Sequence, residues 1–306
     1  MKKLLALLLV VTICLMTFVC SASAVQAKVM ASFYPMYIFA LNVFDGIDGI
    51  SVRCMTAPQT GCLHDYQLVV RDMLNLADAD MFIVCGAGME VYLPDVQAQF
   101  ADLPVVDCSV GIELICDDEE DEHEHEESDH GHHGHDHSVN AHTWLDINNA
   151  IVIVRTIAEN GMALFPEAAE QISANAQGYI ARLEALNEEL SEALAPVAGQ
   201  QIVTFHEAFP YFAQAFRLEI AAVITQEHDE ALSPAQITHM IDVVRKAGNP
   251  PLFTEPQYTS YAAQTIAGET GAKVFELDPI VTGEASLTAY EDGMRRNAEA
   301  ILKAFE

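Results

Sequence analysis

Residues 166–196 have the sequence PEAAEQISANAQGYIARLEALNEELSEALAP. No proline interrupts the segment between its ends, and most of its residues are Ala, Leu or Glu, which all favour helix. The sequence therefore predicts one helix, which at 1.5 Å per residue would be roughly 40 Å long. An ordinary surface helix is the simpler interpretation. A helix of this length between two folded blocks is, however, expected to join them and to restrict their motion.

Strands and helices alternate on both sides of this helix. Short apolar runs predict strands: KVMASF, MFIVCG and PVVDCS before the helix, and QIVTFH, PLFTEP and KVFELD after it. Between them lie helical patterns such as YQLVVRDMLNLADA, SPAQITHMIDVVRKAG and SYAAQTIAGETG. This alternation predicts an α/β fold with two lobes, each a mostly parallel sheet flanked by helices, joined by one long rigid helix. We expect an N-terminal lobe at 28–165, the connecting helix at 166–196 and a C-terminal lobe at 197–306.

Residues 1–27, MKKLLALLLVVTICLMTFVCSASAVQA, predict a secretory signal peptide, because two lysines precede a long apolar run and small residues follow it. A lipid on Cys20 and an uncleaved membrane anchor are the alternatives, since the apolar run is nearly long enough to cross a bilayer. In each case the folded body lies outside the cytoplasmic membrane, in the periplasm or at the cell surface. No later segment predicts a membrane span.

The chain is strongly acidic, with 45 acidic and 14 basic residues and a formal charge of −31. Nucleic-acid binding needs clustered Lys and Arg, so this composition argues against nucleic-acid partners and suits cations instead. The five cysteines after residue 27 form no CxxC zinc spacing, and their odd number cannot pair completely within the chain. Cys85 is expected to pack in the core, and only Cys62 is close enough to a histidine, His64, to be considered as a metal ligand.

Residues 117–137 form an acidic stretch with many histidines, DDEEDEHEHEESDHGHHGHDH. It is of low complexity and almost free of apolar groups, so it is expected to be a mobile loop. Mobile histidines bind metal ions weakly, and we expect auxiliary sites that collect metal beside a better-built site. The seven histidines concerned are His123, His125, His130, His132, His133, His135 and His137.

The other histidines fall into two groups. His64 in GCLHDYQL, His142 in NAHTWLDINNA and His206 in VTFHEAFPYFAQAF each stand near a predicted strand or at the start of a predicted helix, with an aromatic residue close by. His239 falls inside a helical pattern and His228 inside a polar loop, so both are expected to have no functional role. The first group therefore supplies the candidate metal ligands.

These motifs, taken in order, resemble the zinc and manganese solute-binding proteins of ABC importers, over essentially the whole chain after the signal peptide. ASFYPMYIF is similar to the first strand and turn of that family, and LHDYQL followed by DMLNLADADMFIVCGAGME is similar to its first ligand segment and the strand after it. HTWLDINNA and TFHEAFPYFAQAF resemble the second and third ligand motifs, FTEPQYTS a strand-end signature, and FELDPI the fourth ligand motif. The chain departs from the family pattern at Leu63 and Ile147, where proline is common.

The resemblance implies that His64, His142 and His206 are imidazole ligands and that Asp278 is the carboxylate ligand. Three neutral imidazoles and one carboxylate also meet the four-coordinate N/O preference of Zn²⁺. The side chains expected to orient the imidazoles are Asp65, Asp146 and Glu207, although Asp146 could instead cap a helix and Glu207 could form a salt bridge. Glu255 is interpreted as a structural residue that bonds backbone at a strand end.

The function implied by the resemblance is capture of Zn²⁺ and its delivery to the permease and ATPase of an ABC importer by a monomeric protein. An enzyme is not expected, because a zinc hydrolase would show HExxH and the segment HEAFP supplies only its first half. A manganese-binding protein of the same family is one alternative. A zinc-binding surface adhesin or storage protein without a transport role is the other.

Overall fold

The computed structural model describes residues 26–56, 63, 66–116, 139–224, 233–257 and 261–306. Several sequence predictions lie outside these residues: the signal peptide except for its last two positions, and the whole acidic stretch with its seven histidines. The same holds for Cys62, His64, Asp65 and His228.

A four-stranded parallel sheet forms the centre of the N-terminal lobe. Its strands are β1 (Ala27–Ala31), β2 (Ile50–Cys54), β3 (Met81–Val84) and β4 (Val105–Asp107). The connecting helices are α1 (Tyr34–Val43), α2 (Val70–Leu76) and α3 (Leu93–Gln99). The strand order is β2-β1-β3-β4, so the first strand lies in the interior of the sheet and not at its edge.

The C-terminal lobe repeats this arrangement with a second four-stranded parallel sheet. Its strands are β5 (Gln201–Thr204), β6 (Glu219–Val223), β7 (Leu252–Thr254) and β8 (Val274–Glu276). The order β6-β5-β7-β8 is the order of the first sheet, strand for strand. The helices α6 (Pro210–Phe216), α7 (Pro234–Lys246) and α8 (Tyr261–Thr270) connect these strands, and α9 (Ala289–Ala304) follows the last one.

Two helices lie between the sheets in the chain, α4 (Ile147–Leu164) and the long helix α5 (Ala169–Leu194). Short 3-10 turns at Pro166–Ala168 and Ala195–Val197 flank α5, so the predicted single helix is confirmed. Its buried residues recur every three or four positions, as an amphipathic helix requires, and are Ile172, Ala176, Tyr179, Leu183, Leu186, Leu190 and Leu194. The predicted fold of two parallel-sheet lobes with one long joining helix is correct.

The strand predictions were incomplete in one respect. All six predicted strands are present, but β2 and β6 were not predicted. Both stand at an edge of their sheet, and their side chains are mostly half-buried. Strand β2, with the sequence ISVRC, lacks a continuous apolar run, whereas the run IAAV of β6 is short and rich in alanine, a residue depleted in strands.

None of the helices in the described ranges is both long and apolar enough to cross a membrane. Cys85 is fully buried directly after β3, as predicted, and its thiol donates a hydrogen bond to the carbonyl oxygen of Ala141 at 3.4 Å. The described cysteines, Cys54, Cys85, Cys108 and Cys116, are all free thiols.

Candidate metal-binding site

Two predicted ligands, His142 and His206, lie side by side although they are far apart in the sequence. Their ring centroids are 4.9 Å apart and their ring planes are perpendicular. His206 follows the carboxyl end of β5, and His142 immediately precedes the 3-10 turn Thr143–Leu145 that leads into α4. The carboxyl ends of parallel strands are where open α/β sheets bind ligands. This edge therefore holds the candidate site.

Asn140 orients the imidazole of His142. Its side-chain oxygen lies 3.1 Å from Nδ1 of His142 and also accepts a hydrogen bond from the His142 backbone N–H at 3.0 Å. The amide oxygen can only accept, so Nδ1 carries the proton and the lone pair of the neutral ring is on Nε2. His142 is only 2% exposed, and its ring packs against Trp144 with 5.3 Å between centroids. Burial and hydrogen bonding together fix the direction of Nε2.

Glu255 performs the same task for His206. Its carboxylate oxygen lies 2.6 Å from Nδ1 of His206, and the carboxylate is almost completely buried at the carboxyl end of β7. A carboxylate that accepts from Nδ1–H leaves the lone pair on Nε2 and makes it a more basic metal ligand. The interpretation of Glu255 as a residue that bonds backbone was therefore wrong, because its partner is a candidate ligand.

Asp278 lies on the loop that follows β8, and this loop is firmly held. One carboxylate oxygen of Asp278 accepts from the backbone N–H of Ile280 at 2.8 Å, and the other lies 3.8 Å from a guanidinium nitrogen of Arg296. The side chain of Asn297 bonds both the N–H and the carbonyl of Asp278, at 2.8 and 2.7 Å. Burial raises the pKa of the Tyr34 phenol, and the charge of the nearby Asp278 carboxylate raises it further.

The described residues do not complete a metal centre by themselves. Within the described ranges, no three His, Cys, Asp or Glu side chains stand close enough together to share an ion. The structure thus pairs His142 with His206 and does not bring Asp278 into a set of three with them. With His64 outside the described residues, the four-ligand set remains a prediction.

One side chain that was expected to orient an imidazole, Asp146, takes its alternative role of helix cap. Asp146 caps α4 by accepting from the backbone N–H of Asn148 at 2.8 Å, and its burial raises its pKa. The carbonyl oxygen of Glu207 accepts from the side-chain amide of Asn140 at 2.7 Å. His239 is exposed on α7, so the helix that its pattern predicted is confirmed.

A buried carboxylate, Glu90, lies at the carboxyl ends of the strands in the N-terminal sheet. Glu90 accepts hydrogen bonds from the hydroxyl of Ser32 at 2.7 Å and from the backbone N–H groups of Cys85 and Gly86 at 2.8 and 3.0 Å. Burial raises the pKa of Glu90 to about 7. Because its partners follow β1 and β3, Glu90 ties the ends of the two central strands together. The GAGME turn, for which the sequence predicted no role, thus positions the carboxylate that joins these strand ends.

The chain matches the protein-family model ZnuA, described as zinc-uptake complex component A, periplasmic, over residues 29–304. The zinc-binding protein AdcA of Streptococcus pyogenes serotype M3 is 28% identical over 290 residues, which are 90% of this chain and 55% of the relative. The chain therefore spans about half the length of the AdcA relatives that it matches. The manganese-binding lipoprotein MntA of Halalkalibacterium halodurans is 25% identical over 244 residues, 78% of this chain and 76% of the relative.

Among solved structures, the solute-binding protein FpvC of Pseudomonas aeruginosa in complex with Mn²⁺ superimposes with a TM-score of 0.76. The match covers 91% of this chain and 98% of that one at 24% identity. At this identity the similarity establishes the fold alone, and the metal that this chain binds has to be argued from its own residues.

Proposed function

Because this chain belongs to the ZnuA family of periplasmic zinc-uptake components, we propose that it captures Zn²⁺ outside the cytoplasmic membrane and delivers it to an ABC importer. The observation that carries this proposal is the crossed pair of His142 and His206, 4.9 Å apart, each with its Nδ1 held by an oxygen acceptor. Two imidazoles fixed in this way offer two oriented Nε2 lone pairs, which is the ligand type that zinc prefers.

The proposed ligand set is His64, His142, His206 and Asp278. Three neutral imidazoles and one carboxylate give a four-coordinate site with a net charge of about +1 when Zn²⁺ is bound. The loop that bears Asp278 is bonded to Asn297 and to Ile280, so its carboxylate is presented by a rigid backbone. Rigid ligands bind metal ions more tightly than mobile ones, because less conformational freedom is lost on binding.

Zinc is preferred to manganese on chemical grounds. Mn²⁺ stands lowest in the Irving–Williams order and favours oxygen-rich sites of higher coordination number, whereas imidazole suits zinc. MntA, a relative named for manganese binding, shows that the family fold does not decide the metal. Titration with both ions at neutral pH tests this choice. Tighter binding of Mn²⁺ than of Zn²⁺ would overturn the zinc assignment while leaving the family unchanged.

The remaining parts of the proposal concern organisation and partners. We propose that the lobes at 28–165 and 197–306 close over the metal, with 166–196 as the connector, and that the monomer docks on the permease of the importer, which is driven by its ATPase. The support is the position of the two parallel sheets on either side of α5 in the chain. We also propose that the protein is not an enzyme, in keeping with a family of metal-binding components.

Ligand substitutions test the proposed site directly. His142→Ala and His206→Ala should each weaken Zn²⁺ binding by more than about 100-fold, since loss of a ligand should exceed the 10–100-fold effect of losing its hydrogen-bond partner. His239→Ala, on the exposed side of α7, is the matched control and should bind like the wild type. Titration calorimetry measures all three. Wild-type affinity in either of the first two variants would remove that residue from the ligand set.

Deletion of residues 119–137 tests the auxiliary role of the histidine-rich stretch. The described ends of this segment are adjacent, because Cys116 and Val139 form an antiparallel bridge and the N–H of Asn140 donates to the Ile115 carbonyl at 2.8 Å. The remaining residues can therefore close a turn without strain on the folded body. We expect one tight site to persist and additional weak sites to disappear. Loss of the tight site would make the histidine-rich stretch the primary site.

A further inference from the structure

Asn140 contacts residues of both lobes at once. On the N-terminal side its side-chain oxygen holds His142, as described above. On the C-terminal side its side-chain nitrogen donates to the backbone carbonyl of Glu207, the residue after His206, at 2.7 Å. One buried amide group, 3% exposed, therefore connects the two imidazoles across the lobes.

The orientation of this amide is not arbitrary. A backbone carbonyl can only accept a hydrogen bond and a backbone N–H can only donate one. The nitrogen of Asn140 must therefore face Glu207 and its oxygen must face the N–H of His142. The amide of Asn140 carries its donor and its acceptor on two different atoms, so it can make both contacts at once.

Tyr211 reinforces the same connection through the main chain. Its hydroxyl donates to the backbone carbonyl of Asn140 at 2.9 Å and accepts from the backbone N–H of Ile115 at 3.0 Å. Tyr211 belongs to α6 of the C-terminal lobe and is 3% exposed. The segment 206–211 is consequently hydrogen-bonded to both the side chain and the backbone carbonyl of Asn140.

We propose that Asn140 is a positioning residue that couples the orientation of His142 to the closure of the C-terminal lobe, and so sets the rate at which the metal is released. This inference rests on the proposed function, because it takes His142 and His206 as ligands. If the lobes separate, the Asn140–Glu207 and Asn140–Tyr211 hydrogen bonds must break as the two imidazoles part. Metal release and loss of the Asn140 contacts are then the same event.

The substitution Asn140→Asp separates this role from simple support of one ligand. Aspartate keeps an oxygen for both N–H groups of His142, and its negative charge would make that imidazole a more basic ligand and zinc release slower. At the same time it replaces the donor that faces the Glu207 carbonyl by a second oxygen, which repels that carbonyl. If Asn140 acts only on His142, release should therefore be unchanged or slower, and if it couples the lobes, release should be faster.

We expect Asn140→Asp to release Zn²⁺ about tenfold faster at pH 7.5, at the lower end of the 10–100-fold effect of changes beside metal ligands. Release is measured by stopped-flow transfer to a chelator. Tyr211→Phe should change the rate in the same direction. Asn175→Asp is the matched control, because Asn175 also donates to backbone carbonyls, those of Val43 and Asp45, but within the first lobe and its connecting helix. A rate for Asn140→Asp equal to or slower than that of the wild type overturns the proposal.

Two further readouts distinguish the causes. With Co²⁺ in place of Zn²⁺, the visible absorption of Asn140→Asp should match that of the wild type. A collapse of that absorption would mean that His142 has moved, and it would overturn the coupling role. If the wild-type protein showed no tight zinc site, the proposed function would fail, and the coupling would be judged on the metal-free proteins by small-angle X-ray scattering. A larger radius of gyration for Asn140→Asp supports the coupling, and identical curves refute it.

Discussion

Substitution of Glu255 should weaken zinc binding by an amount that depends on what replaces the carboxylate. The contact to Nδ1 of His206 is short, at 2.6 Å, buried and charge-assisted. Removing such a hydrogen bond costs about 1.5–3 kcal/mol. Glu255→Gln keeps an acceptor oxygen of the same shape and loses only the charge, so we expect about a tenfold loss of affinity, or about 1.4 kcal/mol. Glu255→Ala loses the acceptor as well and should approach a loss of about 100-fold.

Competition titration against a chelator of known affinity measures both values. Glu291→Gln is the control, because Glu291 is also a buried carboxylate that accepts a hydrogen bond, here from Arg182 at 3.1 Å, but it lies on α9 against the connecting helix. This control should lose stability and keep its zinc affinity. If Glu255→Gln bound zinc within twofold of the wild type, the carboxylate would not tune His206. If Glu291→Gln lost affinity equally, the effect would belong to general destabilisation.

Three further predictions concern the frame around the site. Because the pKa of Glu90 is raised to about 7, the folded protein binds one more proton than the unfolded chain between about pH 4.5 and 7. The free energy of unfolding should therefore fall by about 3 kcal/mol as the pH rises across that range. In urea unfolding, Glu90→Gln should lack this pH dependence, and an equal dependence would show that Glu90 is not its cause. Gly86→Ala should lower the melting temperature by more than about 8 °C. Gly86 has a φ of +81°, and a Cβ there would lie 1.9 Å from a carboxylate oxygen of Asp107. Gly88→Ala is the control, because Gly88 has an equal φ but a Cβ there would meet open space. Trp144→Phe should weaken zinc binding about tenfold, as measured by calorimetry. The substitution removes the 2.8 Å hydrogen bond from the indole to the carbonyl of Pro279, which is next to the proposed ligand Asp278. An unchanged affinity would show that the loop of Asp278 is held without the indole.

The fold was largely predictable because its main signals are local. Six strands were predicted from apolar runs, and the long helix was predicted from its composition and its lack of interior proline. Strand β2 gave no such signal, since ISVRC mixes polar and apolar residues and becomes a strand by pairing with β1. The short apolar run IAAV of β6 is compatible with either a strand or a buried helix segment, and pairing with β5 makes it a strand. A segment whose conformation depends on a distant partner cannot be identified from its own residues.

The site shows the same division between local and distant information. The pairing of Asn140 with His142 spans two residues, and an asparagine that bonds the backbone two positions later is a common local arrangement, so this contact could have been inferred. The contact of Glu255 with His206 could not have been inferred from the sequence. It exists because β7 lies directly beside β5 in the sheet, and the order of strands is not encoded in either segment.

The long helix also affects how the protein should unfold. The buried face of α5 belongs to one continuous apolar core that includes Val29 and Ile83 of the first sheet and Ile202 and Phe253 of the second. Domains that unfold separately have separate cores, whereas here the two lobes share theirs. A smaller cluster, with Val244 of α7 and Ile266 of α8, lies apart from that core. Heating should therefore melt both lobes in a single calorimetric transition, and hydrogen exchange should detect the earliest local opening at α7 and α8.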